Sequence, residues 1–285
     1  MPEGHVTHRL AGELVARFAG RRTSSISPQG RFGDESALIT DRVLTGADAY
    51  GKHLLVGFEG IDRRVHIHLG TAGKLTISAG PPPAPVGAVR WRLIGVGDAP
   101  AYADLRGPAA CGLLDDRQIA ALLARLGPDP LRKDADPEVA WDRIRRSRAP
   151  LAVLLMDQTI TAGVGNIFRA ELLFRHRLDP MMAGRLLKHA EWTALWDDLV
   201  ELMEYAVAHG RIDTVRPEHT PEAMGRPPRV DRHGGEVYVY RRTGQPCHVC
   251  GSTVRTEVIA TRNLFWCPVC QRKTRRRVAG AASRR

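Results

Sequence analysis

The sequence predicts an α+β protein with a β-rich first domain, a mainly helical second domain and a small cysteine-containing module near its end. Residues 20–115 alternate short apolar runs with Gly, Pro, Asp and Ser, a pattern typical of a β-sandwich or barrel. From Asp115 the apolar spacing becomes helical, and four cysteines crowd into the last fifth of the chain. With 285 residues, 43% of them hydrophobic, the chain is long enough for two packed domains.

The β-rich part is preceded by one helix and interrupted by one proline run. Residues 3–18 have helical spacing and predict an opening helix. GPPPAPVG at residues 80–87 cannot be a central strand, because proline donates no hydrogen bond to a neighbouring strand. We therefore predict a loop there. Cys111, in the last apolar run, is expected to be a buried small hydrophobic residue.

Five further stretches have helical spacing, and no convincing strand lies among them. They are DDRQIAALLARLG, PEVAWDRIRRSR, PLAVLLMDQ, GNIFRAELLFRHR and residues 190–208. The polar, proline-broken GPDPLRKDADPE after the first of them predicts a connector. The predicted divisions are a β domain at 1–115, a first helix and linker at 116–136, a helical domain at 137–235, a cysteine module at 236–271 and a basic tail at 272–285.

The charge of the chain is unevenly distributed. The formal net charge is +11 and the sequence pI is about 10.0, which favours a polyanionic partner. Seven of the basic residues lie in residues 271–285, which contain no acidic residue. Net charge alone therefore does not show that the folded body binds nucleic acid, and a merely solvating tail stays an alternative.

The hydropathy of the chain argues against a membrane protein. No run approaches the roughly 18 apolar residues that a membrane-spanning helix needs. The opening MPEGHVTHRL has neither a positive leader nor an apolar stretch. We expect a cytoplasmic protein, with a monomer as the default state.

The four clustered cysteines have the spacing of a metal site. Cys247-x2-Cys250 and Cys267-x2-Cys270 form two identical pairs, each able to present two thiolates to one tetrahedral zinc ion. Four sulfur ligands leave no open coordination position. We predict one structural zinc ion, so any chemistry must come from elsewhere in the chain.

Two segments could bind phosphate. Between the cysteine pairs, TVRTEVIATRNLFW predicts a two-stranded hairpin with ATRN at its tip, from which Arg262 projects. In LLMDQTITAGVGNIFRAELLF, Gly163 and Gly165 allow tight turns before a helix that begins near Asn166. A glycine pair before a helix serves packing as often as binding, so this second segment alone decides nothing.

The N-terminus supplies a third signal. Removal of Met1 would expose Pro2 as a secondary amine beside the carboxylate of Glu3. Many proteins begin with Met-Pro, so this signal has little weight alone. His5 and His8 follow on the same predicted helix and could tune protonation or simply pack.

Taken together, these segments resemble the formamidopyrimidine-DNA glycosylase and endonuclease VIII family over essentially the whole chain. The matching segments are PEG at 2–4, GKHL at 51–54, HLG at 68–70, DQTITAGVGNIFRAELLF at 157–174 and the four-cysteine finger. The resemblance implies an N-terminal helix plus β-sandwich, then a helix-two-turn-helix domain with a β-hairpin zinc finger. MPEGHxxHR resembles the endonuclease VIII-like branch found in actinobacteria, which implies oxidised pyrimidines as substrates.

The resemblance also implies an activity and its residues. In this family the amine at Pro2 attacks a damaged nucleotide, expels the base and forms an iminium that cleaves the strand by β,δ-elimination. Glu3 would transfer protons, and Lys52 would contact a phosphate beside the lesion. Asn166 and Arg262 would bind flanking phosphates. The implied protein is a bifunctional base excision repair glycosylase and abasic-site lyase that binds damaged DNA at the nucleoid.

The chain departs from the formamidopyrimidine branch where that branch fills the gap left by a flipped-out nucleotide. Thr71 stands where the branch has methionine, and Arg106, Gly107 and Pro108 stand where it has two arginines and a phenylalanine. Arg106 is expected to reach toward the unpaired partner base.

Two other functions remain open from the sequence. A non-catalytic binder of abasic or damaged DNA would keep the same fold, although the presence of Pro2, Glu3 and Lys52 argues against it. A zinc-ribbon transcription or partner-binding factor would need only the cysteine module and the basic tail, and it leaves the N-terminal match unexplained.

Overall fold

The computed structural model describes residues 2–97, 99–231 and 235–274. It divides the chain into two compact units, Met1–Arg125 and Leu126–Arg285. The predicted basic tail lies almost entirely outside the described residues. Among the described residues, no helix combines the length and the hydropathy needed to cross a bilayer.

Eight strands and three helices make up the part of the first unit that the structure describes. Its helices are α1 (Gly4–Phe18), α2 (Gly33–Ile39) and α3 (Asp116–Leu123). Its strands are β1 (Arg22–Ile26), β2 (Arg42–Tyr50), β3 (His53–Phe58), β4 (Arg63–His68), β5 (Lys74–Ala79), β6 (Val89–Gly95), β7 (Ala101–Arg106) and β8 (Ala110–Asp115).

The strands hydrogen-bond in the order β5-β7-β6-β1-β2-β3-β4-β8, and all the pairs are antiparallel. Alternate residues of each strand face one core. Apolar residues from both ends of this order, such as Val65 of β4 and Leu105 of β7, belong to one buried cluster that also takes in Leu14 and Phe18 of α1. The predicted β-sandwich with an N-terminal helix is confirmed.

Within its described residues, the second unit has five α-helices, two short 3-10 helices (Gly184–Leu186 and Pro217–His219) and one hairpin. The helices are α4 (Pro137–Ile144), α5 (Leu151–Leu154), α6 (Asn166–Arg175), α7 (His189–His209) and α8 (Pro221–Met224). The hairpin strands are β9 (Arg255–Ile259) and β10 (Arg262–Trp266). One apolar core joins α4–α7 to the hairpin and to Cys247 and Cys267. The predicted helical domain with a β-hairpin zinc finger is confirmed.

Two elements differ from the sequence patterns. Helix α2 lies inside the segment where only strands and loops were expected, and it buries only Ser36 and Ile39. Seven residues give too few turns for a helical period to be visible. Conversely, the apolar run PLAVLLMDQ forms only a single helical turn at α5. Turn residues begin at Leu155, directly after it.

Candidate functional site

Pro2 and Glu3 stand at the start of α1. Glu3 is the N-cap residue with extended backbone, and its side chain does not cap the helix. It is 1% exposed, whereas Pro2 is half-buried. The helix buries Leu10, Leu14 and Phe18 in the core of the first unit. A proline nitrogen and a buried carboxylate are therefore held at the end of a firmly packed helix.

Lys52 occupies the tight turn between β2 and β3. Tyr50 pairs with His53, so only Gly51 and Lys52 form the turn. Gly51 has φ of +57°, a conformation that glycine adopts at no steric cost. The lysine side chain is half-buried at this position.

Three histidines form a cluster on the strands that follow this turn. Nδ1 of His53 and Nε2 of His66 are 2.9 Å apart, and their rings stack with centroids 5.2 Å apart. The centroid of His68 is 4.9 Å from that of His53. Burial, followed by the neighbouring charges, lowers the pKa of His53 to about 3 and that of His66 to about 4. The rings are therefore neutral at physiological pH.

Lys52 acts electrostatically on this cluster. Its charge lowers the pKa of both His53 and His68, in addition to the larger effect of burial. Sequence reasoning singled out Lys52 but missed the cluster. The signal was available, because His66 and His68 are two residues apart on one strand and so face the same side.

Arg106 is held by acidic and backbone partners at the end of β7. Its Nη2 donates to Oδ2 of Asp104 over 2.8 Å, and its Nε donates to the carbonyl of Val86 over 3.4 Å. Asp104 also accepts two bonds from Arg92, of 2.6 and 2.8 Å. Burial alone would raise the pKa of Asp104, but the two guanidinium groups lower it overall. Arg106 thus belongs to an ion-pair cluster with a net charge of +1.

Thr71 and Pro108 lie on neighbouring loops. A Cβ on Gly70 would fall 2.7 Å from that of Ala109, and one on Gly107 would lie 3.7 Å from the carbonyl of Ala72. The loop after β4 and the loop after β7 therefore touch. Thr71 is exposed and Pro108 is half-buried, and neither is a large apolar side chain.

Cys111 lies on β8 opposite Ile67 of β4 and packs against the core of the first unit. Burial raises the pKa of its thiol to about 12. The thiol stays protonated at neutral pH and is a poor nucleophile.

In the second unit, Asn166 begins α6 and is oriented by a buried arginine. The guanidinium of Arg169, which is 1% exposed, donates to Oδ1 of Asn166. It also donates to the carbonyl of Asn263 over 2.8 Å and to that of Ala152 over 3.2 Å. Arg169 thereby ties α5, α6 and the hairpin together. Sequence reasoning did not find it, although an arginine within NIFRAELLF is a visible signal.

The four cysteines form a cluster that fits one zinc ion. Their sulfur atoms all lie within 4.8 Å of one another. Sγ of Cys247 is 3.9 Å from that of Cys270, and Sγ of Cys250 is 3.5 Å from that of Cys267. A tetrahedral zinc ion with Zn–S bonds of ~2.3 Å separates its ligands by ~3.8 Å, whereas a disulfide needs ~2.05 Å. The predicted structural zinc site is confirmed.

The hairpin carries Arg262 next to its tip. Arg262 pairs with Ile259, so the tip consists of Ala260 and Thr261, with φ of +46° and +63°. Two positive φ angles give the turn that best suits a two-residue hairpin. Further along β10, Leu264 and Phe265 are buried in the core of the unit, whereas Arg262 is exposed.

A buried carboxylate connects α6 to the segment before the zinc finger. Glu171 accepts hydrogen bonds from the backbone N–H groups of Tyr238, Val239 and Tyr240, at 2.7 to 2.9 Å. It accepts another from the hydroxyl of Thr214 over 2.6 Å. Four donors satisfy a carboxylate that is entirely buried. Glu171 therefore fixes the segment leading into the finger against the helix that begins with Asn166.

Three sequence families match the chain in succession. They are the formamidopyrimidine-DNA glycosylase N-terminal domain at residues 1–111, the formamidopyrimidine-DNA glycosylase H2TH domain at residues 126–216 and the zinc finger found in FPG and IleRS at residues 244–272.

Full-length relatives match as well. Endonuclease 8 1 of Mycobacterium tuberculosis is 50% identical over 278 residues, covering 95% of this chain and all of the relative. The formamidopyrimidine-DNA glycosylase of Thermus thermophilus is 33% identical over 272 residues, covering 95% of this chain and 97% of the relative. The Lactococcus lactis Fpg solved with DNA containing an abasic site superposes with a TM-score of 0.75 at 24% identity, covering 95% of this chain and all of that one.

Proposed function

Because the chain belongs to the formamidopyrimidine-DNA glycosylase and endonuclease VIII family of DNA repair glycosylases, we propose that it excises oxidised bases and then cleaves the DNA strand at the abasic site. One observation carries the proposal: Pro2 and Glu3 stand at the start of a helix packed on the core of the first unit, in a chain that is 50% identical to an endonuclease 8 along its length. A nucleophile at Pro2 requires removal of Met1.

In the first half of the reaction, a bond from C1′ to the protein replaces the bond from C1′ to the base. The lone pair of the Pro2 nitrogen attacks C1′ of the damaged nucleotide, and the base leaves with the electrons of its glycosidic bond. The proton that the Pro2 nitrogen loses is taken up by the departing base, which frees the nitrogen lone pair to form the iminium. Opening of the sugar ring then moves the C1′–O4′ electrons to O4′, which is protonated. Glu3 is the proposed donor of that proton. A cationic iminium now joins the Pro2 nitrogen to C1′.

The second half breaks the strand. The iminium accepts electrons from C2′ as that carbon loses a proton, and the 3′ phosphate leaves with the electrons of the C3′–O bond. Loss of the C4′ proton expels the 5′ phosphate in the same way, and water then hydrolyses the iminium to free Pro2. Lys52, beside neutral histidines, would stabilise charge on a phosphate next to the lesion.

The remaining predicted site residues would grip the DNA. Asn166, oriented by Arg169, and Arg262, presented at the hairpin tip, are proposed to bind phosphates on either side of the damaged nucleotide. The zinc ion would hold the hairpin that carries Arg262. Arg106 is proposed to contact the partner base when DNA binds.

We further propose oxidised pyrimidines as the preferred substrates, because the relative with 50% identity is named an endonuclease 8 and the MPEGHxxHR opening is typical of that branch. Damaged DNA is the proposed partner, so the protein would act at the nucleoid. A monomer would suffice, since all the proposed residues lie in one chain.

Borohydride trapping tests the proposal directly. The purified protein is incubated with oligonucleotides carrying an abasic site, thymine glycol, 5-hydroxycytosine or 8-oxoguanine, and borohydride reduces any iminium to a stable adduct. We expect adducts with the abasic and pyrimidine-lesion DNA, and their strong reduction in Pro2→Gly. Adducts with abasic DNA alone would indicate a lyase without base excision. No adduct, with Met1 verified as removed, would instead favour a damage-binding protein.

A further inference from the structure

Base excision from duplex DNA, which is the function proposed above, requires something to fill the gap that a flipped-out nucleotide leaves. Unstacking a base step costs a few kcal/mol, and proteins offset that cost by inserting an apolar side chain. The two positions that carry large apolar residues in the formamidopyrimidine branch are Thr71 and Pro108 in this chain. Thr71 is polar and Pro108 is half-buried, so neither offers a well-exposed apolar side chain for the gap.

The proline-rich loop, residues 80–88, crosses over β7 to reach the end of the sheet where Arg106 lies. Strands β5 and β6 are both antiparallel to β7 and flank it. Residues 80–88 must therefore cross β7, from the end of the sheet where Ala79 pairs with Ala101 to the end where Val89 pairs with Arg106. Nη1 of Arg92 donates to the carbonyl of Pro83 over 2.6 Å and holds the crossing in place.

Val86 lies at the far end of this crossing. Its carbonyl accepts from Nε of Arg106 over 3.4 Å, and its side chain is 74% exposed. Pro85 precedes it and fixes the backbone angle at that residue. An apolar, β-branched side chain with little rotamer freedom is thus held out from the surface at little further entropic cost.

The surroundings of Val86 suit a DNA duplex. Arg106 pairs in the sheet with Lys74 and with Val89, so the start of β5, the end of the crossing and the end of β7 meet at one end of the sheet. The touching loops with Thr71 and Pro108 leave from this same end. Lys74 is exposed, and Arg106 adds a second cation, so this end of the sheet carries positive charge.

From this arrangement we propose that Val86, held by the Arg92–Asp104–Arg106 cluster, is the apolar wedge that enters the gap in duplex DNA when the damaged nucleotide is flipped out. The proline-rich crossing supplies, from another loop, the exposed apolar side chain that positions 71 and 108 lack. Arg106, bonded to the backbone of the wedge residue, is then already beside the partner base that it is proposed to contact.

The test compares single-turnover excision of a thymine glycol from duplex and from single-stranded DNA. A wedge matters only in the duplex, because a single strand has no stack to hold open. Val86→Ser should slow excision from duplex about tenfold and leave excision from the single strand unchanged. Val86→Met, which keeps an apolar side chain at this position and enlarges it, should keep the duplex rate within about twofold of the unchanged protein.

Val96 offers a matched control. It is another exposed valine of the same unit, 54% exposed, at the opposite end of the sheet. Its carbonyl also accepts from an arginine, Nη2 of Arg21, over 3.3 Å. Val96→Ser should leave both rates unchanged. Fluorescence of a 2-aminopurine placed beside the lesion should rise on binding to the unchanged protein, and rise less with Val86→Ser.

The two proposals fail in different ways. If the unchanged protein excises no base from either substrate, the proposed function is wrong. If it excises from the duplex and Val86→Ser does so equally fast, the function stands and the wedge is refuted. Equal slowing of Val86→Ser on both substrates, or of Val96→Ser on the duplex, would also refute the wedge. If the unchanged protein excises the base from single-stranded DNA and not from the duplex, the wedge is refuted, because it has no duplex to act on.

Discussion

The two units of the molecule hold their candidate functional residues by different means. In the first unit, Pro2 and Lys52 stand at an element boundary and in a turn, and the sheet behind them supplies the rigidity. In the second unit, Asn166 and Arg262 depend on a network of buried polar groups and a zinc site. In the first unit, Pro2 is proposed to make the covalent bond and Lys52 to assist it, whereas Asn166 and Arg262 in the second unit are proposed only to bind phosphates.

This difference teaches that bond-making and DNA binding should be separable by mutation. A change of the nucleophile Pro2 should alter the rate of covalent chemistry with little effect on affinity. A change of Asn166 or Arg262 in the second unit should lower the affinity for DNA. It should slow the covalent step only because less DNA is bound. The predictions below test that separation, beginning with the largest effect.

Pro2→Gly should reduce iminium trapping on abasic DNA by about 100-fold or more. Glycine offers a primary amine, whose imine is not obligatorily cationic and is therefore a weaker electron sink. The dissociation constant for DNA, measured by fluorescence anisotropy, should stay within about threefold. Val15→Ser, at an exposed position of the same helix, is the control and should trap normally. A comparable loss of affinity in Pro2→Gly would break the separation.

Removal of zinc should weaken DNA binding by about 30-fold, because the hairpin that carries Arg262 loses its metal support. The first unit should stay folded, as judged by amide hydrogen exchange in β3 and β4. Added zinc should restore binding. Cys111→Ala serves as the control, since it removes a cysteine without touching the metal site, and should keep both zinc and affinity. Full binding by protein verified to be free of zinc would contradict this role.

Arg262→Ala should weaken DNA binding about tenfold and lower by about one the slope of log affinity against log salt, because one phosphate contact is lost. Arg255 lies at the other end of the same hairpin and is also exposed. Arg255→Ala should therefore have a smaller effect on both quantities. Equal effects of the two substitutions would mean that the hairpin acts by charge alone and that its tip has no special position.

Acidification should destabilise the first unit. His53, His66 and His5 have pKa values of about 3, 4 and 4, lowered mainly by burial. The unfolded chain takes up these protons near pH 6.5, so the free energy of unfolding is unaffected above that pH and falls below it. We expect up to about 1 kcal/mol per histidine per pH unit.

Hydrogen exchange of β3 and β4 amides between pH 7.5 and 5, corrected for intrinsic rates, measures this effect. The double substitution His53→Gln and His66→Gln should flatten the dependence. His189, which is exposed in the second unit, provides the control substitution, and His189→Gln should leave the curve unchanged. An equally steep curve in the double variant would show that other groups are responsible.

The sequence predicted well what depends on local spacing. The cysteine pairs, the hairpin between them and the change from β to helical periods each occupy a short window, and each is present in the structure. The predicted roles of Pro2, Glu3 and Lys52 depended on resemblance rather than on spacing, and they remain proposals. No local pattern marks a residue as a nucleophile.

What the sequence could not predict depends on contacts between distant segments. Arg169 meets Asn263 across 94 positions, and Glu171 meets Tyr238 across 67. No sequence pattern near either residue indicates these partners. The crossing that brings Val86 to Arg106 is likewise a property of strand order, because the proline run alone predicted only a loop.

The contacts of Glu171 also have a consequence for how the protein is made. Its carboxylate is buried among donors that include Tyr238, Val239 and Tyr240, and a buried charge without partners is strongly destabilising. The first unit has its own apolar core, so we expect it to fold once it has left the ribosome, whereas the Glu171 carboxylate of α6 must wait for donors nearly seventy positions later. We therefore expect ribosome-bound chains stopped at residue 231 to resist proteases in the first unit and to be cut readily within the second.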